Sequence, residues 1–145
     1  MTSISLVQAQ RRIGAAWCLG ALASALIVTA LLALGKYGAK SDELWRWFVT
    51  NVLPTTTLIV TVWVRVEQKA HAPREVVSLF FYRAALITST VTTVAIVGTL
   101  MATGYYNSID DRVTMLRNSQ VALAFFQSLV GLFNAVLFVK GPRSR

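Results

Sequence analysis

Three carboxamides, Gln120, Gln127 and Asn134, recur every seventh residue in a stretch that stays apolar to Val139 and carries no chargeable side chain below Arg117. A carboxamide donates and accepts hydrogen bonds but does not titrate. Heptad spacing puts the three on one helix face, beside the neighbouring row Arg117, Ala124, Gly131 and Phe138. A second polar row lies in an earlier apolar run: Phe81, Ala85, Thr88, Thr92, Ala95, Thr99 and Ala102, at alternating steps of four and three. From Ala85 onward every member of that row is small or carries a hydroxyl.

Polar groups of this kind are costly against lipid tails, so the amide face must meet protein or water. Two chemistries satisfy it. One is a passive, water-filled path lined by Gln120, Gln127, Asn134 and the hydroxyls of Thr88, Thr92 and Thr99, with Arg117 at its outer mouth. The other is interhelical glue, the amides bonding those same hydroxyls for about 0.6–2 kcal/mol each. The sequence leaves both open.

Other chemistry is disfavoured by what the chain carries. All six acids, Asp42, Glu43, Glu67, Glu75, Asp110 and Asp111, fall in loops or at the ends of apolar runs, which argues against proton coupling. One cysteine, Cys18, and one histidine, His71, give no disulfide, no metal cluster and no nucleophile–base pair. Gly-rich phosphate motifs are absent. A non-enzyme without cofactor is expected.

The elements that position these residues follow from composition. In 145 residues, 55% are apolar and 14% charged, with mean hydropathy +0.58. Soluble domains carry roughly 25% charged residues. Four runs, 13–35, 44–66, 76–103 and 113–139, are long enough to cross about 30 Å of hydrocarbon. The reading is an all-α integral membrane protein: one membrane domain, a bundle of four transmembrane helices, with short tails at 1–12 and 140–145. The first run exceeds the length of a signal-peptide core and is read as a retained helix.

Arg11, Arg12, Arg65, Lys69, Arg74, Lys140, Arg143 and Arg145 all fall at one end of this topology. Lys36, Lys40, Arg46 and Arg112 lie at the other, next to acids. The positive-inside rule then puts both termini in the cytoplasm, in what is read as a bacterial cytoplasmic (inner) membrane. The net charge of +8 reports orientation rather than nucleic-acid binding. Arg83 is expected to snorkel or to pair with Glu75 or Glu67.

Local signals fill in the detail. Gly35 ends the first span, and Ser41 is expected to cap the second, ahead of Asp42 and Glu43. Pro54 withholds a backbone donor from Thr50, so Asn51 to Pro54 is a candidate hinge or tolerated kink. Ladders of small residues, Ala16–Gly20–Ser24 and Ala21–Ala25–Thr29–Ala33, mark the first span as a packing helix. Trp45, Trp47, Tyr105 and Tyr106 are assigned to the outer interface, and Trp63 to the inner one. No convincing match joins the two halves of the chain, although any repeat would be parallel.

Together these features predict a homo-oligomeric channel in contact with membrane lipids, controlled by a separate cytoplasmic or membrane partner. The alternative is a non-enzymatic anchor or assembly subunit, docking its partner or anionic headgroups on Arg65, Lys69, Arg74 and Arg83. A small facilitator for a neutral or lipid-like solute is a third.

Overall fold

The computed structural model describes residues 3–68 and 76–139. Lys69 and Arg74 lie outside the described residues, as do the side chains of Arg65, Glu67, Trp63 and Asn134. Strand β1 (Ser3–Ser5) leads into helix α1 (Leu6–Ala33), and a 3₁₀ turn (Gly38–Lys40) into α2 (Ser41–Gln68). Strand β2 (Val76–Ser78) leads into α3 (Leu79–Thr103), followed by α4 (Ile109–Val139). The chain is thus a strand–helix–helix unit twice over.

The four helices were expected; their ends and the ribbon were not. β1 and β2 pair antiparallel, Ser3 with Ser78, Ile4 with Val77 and Ser5 with Val76. Residues 76–78, expected to open the third span, are therefore strand. Helix α1 begins seven residues before its apolar run because the Ser5 hydroxyl accepts from Gln8 N at 3.3 Å, an N-cap.

At its far end Gly35 adopts φ +65°, Gly35 N donates to Leu32 O and Lys36 N to Leu31 O, the paired bonds of a Schellman stop. A Cβ at that φ is strained, so Gly35→Ala is expected to lower stability by about 1–2 kcal/mol, read from unfolding in mixed micelles. Ser41 does not cap α2 as expected. The chain enters through the 3₁₀ turn, and the Ser41 hydroxyl instead donates to Gly38 O at 2.6 Å. The acids Asp42 and Glu43 do occupy the first turn of α2, and Asp110 and Asp111 that of α4, where the helix dipole favours them.

Helix α1 packs against α2 and α3, and α4 against α3 and α2, while α1 and α4 barely touch. The ribbon holds the starts of α1 and α3 together, so these two run parallel. Gly20 and Ser24 are buried, and a Cβ on Gly20 would lie 2.3 Å from Thr93 Cγ2, so α1 and α3 approach closely there. That small-residue ladder therefore faces a neighbour, as read. Its companion packs against the core at Ala21 and Ala25 and is exposed at Thr29 and Ala33. The α3 ladder lies inside from Ala85 to Ala102, and Phe81 is exposed.

The interior is filled by Trp17, Trp47, Leu44, Ile96, Leu116 and Leu123, each at most 2% exposed. Trp47 is the main departure: read as an interfacial aromatic, it is a core residue whose Nε1 donates to Ser119 Oγ at 3.0 Å. Trp45 and Tyr105 do lie outside, at 46% and 84% exposed. Two helices, Leu6–Ala33 and Leu79–Thr103, are long and apolar enough to cross a membrane.

Candidate functional site

The amide face lies along the contact between α2 and α4, which run side by side in parallel register. Three ties fix that register. Arg117 pairs with Glu43 at 2.7 Å, Trp47 bonds Ser119, and Gln127 Nε2 donates to Asn51 O at 2.6 Å. Asn51 is itself buried and held, its Nδ2 donating to Trp47 O at 2.8 Å. Arg117 is therefore an ion-pair partner on the α2–α4 seam.

Gln127 also borders an opening in this seam. An open groove of about 420 Å³ lies between Pro54, Thr55 and Leu58 of α2 and Ala124, Gln127, Ser128 and Gly131 of α4. Helix α2 continues through Pro54 without interruption. Proline has no N–H, so the Thr50 carbonyl lacks its helical donor beside this groove. The carbonyl that Gln127 engages is the next one along, Asn51.

Gln120 sits one turn above the groove, on the same face, and is exposed. Its amide makes no hydrogen bond among the described residues. Gln127 is half-buried, and Ala124 and Gly131 are exposed. The candidate hydroxyls are elsewhere engaged: Thr88 Oγ1 donates to Ala84 O, Thr92 Oγ1 to Thr88 O and Thr99 Oγ1 to Ala95 O, at 2.9, 2.7 and 2.8 Å. Among the described side chains no hydrogen bond joins them to Gln120 or Gln127; a threonine hydroxyl in a helix reaches its own i−4 carbonyl first, and Gln127 bonds the Asn51 carbonyl. Arg83 is exposed at the other end of α3, and the acids named as its partners lie outside the described residues or side chains.

A polar cap at the opposite end of the bundle escaped the sequence reading. Arg112 is 6% exposed; its Nε donates to Tyr106 O at 2.9 Å, and its terminal nitrogens to Tyr106 O and Lys36 O. One guanidinium thus ties the loop after α1 to the loop after α3. Lys40 pairs with Asp110 across the same two loops and holds that carboxyl below its ordinary range. Tyr37 is fully buried beneath them. Burial pushes its phenol pKa up, opposed by the nearby Thr103 hydroxyl and the Arg112 charge. The signal available in sequence was only that Arg112 follows two acids in a loop, which also describes an ordinary solvated cation.

Among the described residues no three His, Cys, Asp or Glu side chains cluster as a metal site. Comparison with known proteins gives no family model, no curated protein and no solved structure that matches this chain.

Proposed function

We propose that this is a multi-pass membrane protein of a bacterial inner membrane whose copies assemble around the α2–α4 face and leave a passive polar path between them. All four helices cross in this reading, both termini being cytoplasmic. Exposed apolar side chains on every helix support it: Leu22 and Leu26 on α1, Leu53 on α2, Ile87 and Val94 on α3, Phe125 and Leu132 on α4. Such a surface is far more apolar than water-facing helices carry.

The observation that carries the proposal is the exposed, unbonded amide of Gln120 on that surface. Facing hydrocarbon, an amide without a partner costs roughly 2–7 kcal/mol. Water or another copy removes that cost. Large side chains such as Trp17, Trp47, Ile96 and Leu123 pack the interior of the single bundle around its buried polar groups, so the proposed path runs between copies, along Gln120, Gln127 and Asn134. A separate partner, docking on the basic end at Arg65, Lys69, Arg74 and Arg83, controls opening. The chain itself performs no chemistry.

Ion flux through liposomes holding purified protein tests this. Wild type is expected to conduct, and Gln120→Leu to reduce flux at least about tenfold, a loss of 1.4 kcal/mol or more in solvating the path. Gln120 is the informative position because its amide makes no hydrogen bond among the described residues. Wild-type vesicles that stay sealed would end the channel reading.

One observation favours a second reading, a membrane anchor or assembly subunit: Gln127 spends a donor within its own chain, on Asn51 O. Under that reading neutralising Arg65, Lys69, Arg74 and Arg83 releases a copurifying protein, while vesicles stay sealed with or without Gln120.

A further inference from the structure

The groove between α2 and α4 concentrates hydrogen-bonding capacity that the single chain does not use. Gln120 has a whole amide to spare, and Gln127 keeps its carbonyl oxygen and one N–H. The Thr55 hydroxyl makes no bond among the described residues, and the Thr50 carbonyl has lost its helical donor to Pro54. Thr55 and Gln127 line a groove, with Gln120 one turn above it, whose α4 wall also includes Ala124, Ser128 and Gly131; a Cβ placed on Gly131 would meet nothing within 4 Å. Leu58, on the opposite wall, is 53% exposed. The groove is open at the surface, with Leu58, Ala124, Ser128 and Gly131 all exposed along it.

We infer that the occupant is a second copy of this chain, lying parallel to the first, its α4 seated along the same groove about a two-fold axis normal to the membrane. The inference rests on the membrane reading above, and it does not require conduction. Membrane orientation is fixed by the basic end, so all copies point the same way. Around a two-fold axis normal to the membrane, each residue near the axis meets its own equivalent at the same depth. A carboxamide is the side chain that suits such a place, since it donates to and accepts from an identical group; two cations or two carboxylates there would repel. An acyl chain offers no hydrogen bond to Gln120. The small residues Ala124 and Gly131 let a second helix approach closely, as helix contacts in lipid require.

Disulfide trapping in native membranes tests the contact. In a Cys18→Ser background, Ala124→Cys is expected to give a band at twice the monomer mass on mild oxidation. Leu26→Cys, on the outer face of α1, is expected to give none. Gly131→Leu extends into the open groove, where its Cβ meets nothing within 4 Å, so it should leave the monomer folded by circular dichroism and abolish the Ala124→Cys band. Gln120→Leu should weaken association about three- to thirtyfold in micelles. The inference is overturned if Ala124→Cys links no better than Leu26→Cys, or links only to a different protein. It is also overturned if Gly131→Leu leaves the dimer intact, or if the purified chain is a monomer with lipid in the groove. Efficient trapping in sealed vesicles would uphold the interface and remove the channel, and conduction by a chain that never traps would remove the interface.

Discussion

Replacing Arg112 with alanine is expected to destabilise the bundle by about 2–4 kcal/mol, with the loss centred on the two loops it joins. A hydrogen bond from a charged donor contributes roughly 1.5–3 kcal/mol, and a buried carbonyl left without its donor carries a desolvation penalty. Arg112 serves two such carbonyls, Lys36 O and Tyr106 O, from a position 6% exposed. Lysine should restore little, because an ammonium lacks the planar fork that spans both loops. Methionine keeps the stem and separates packing from hydrogen bonding. The measurement is unfolding in mixed micelles, together with protease sensitivity of residues 34–40. If Arg112→Met unfolds like wild type, the clamp is packing alone and the assignment is wrong.

The second large effect is expected at Gly20, and there the sign of the change is itself decisive. Within a helix, glycine to alanine ordinarily stabilises by about 0.5–1 kcal/mol. Here the new methyl would stand 2.3 Å from Thr93 Cγ2 and 3.3 Å from Thr93 Cβ. Rotating a β-branched side chain does not move its own Cβ, so α1 and α3 must separate. Overpacking of this kind costs about 1–3 kcal/mol. Gly20→Ala should therefore destabilise, Gly20→Leu more so, and Thr93→Ala in the same chain should recover most of the Gly20→Ala loss. A double-mutant cycle with coupling near zero would show that the close approach is absent.

Much of the frame was legible because its signals are local. Gly35 as a stop, the acids opening α2, and the Gly20–Ser24 ladder each depend on a few adjacent residues, and each stands where the sequence placed it. Trp47 shows where local reading ends. In Trp45-Arg46-Trp47 the two rings point nearly opposite ways around the helix, so one must turn inward. Which one does is decided by α4, through Ser119, seventy-two residues away.

The same holds for the amides. Their spacing identified one face, but only the approach of α2 at Asn51 engages Gln127 and leaves Gln120 bare. Arg112 was illegible for the opposite reason: its partners are backbone carbonyls, which every residue has and no sequence marks. The ribbon was missed because Val76 and Val77 continue the apolar pattern of α3, giving no break in composition to read.

That ribbon has a consequence for the order of assembly. Ser3 to Ser5 are made some seventy residues before their partners, Val76 to Ser78. The α1–α2 hairpin must therefore settle with its leading strand unanswered, and the closing bonds span a loop of some seventy residues whose entropy has to be met late. Strand β1 thus joins the fold only after the second hairpin has begun to arrive.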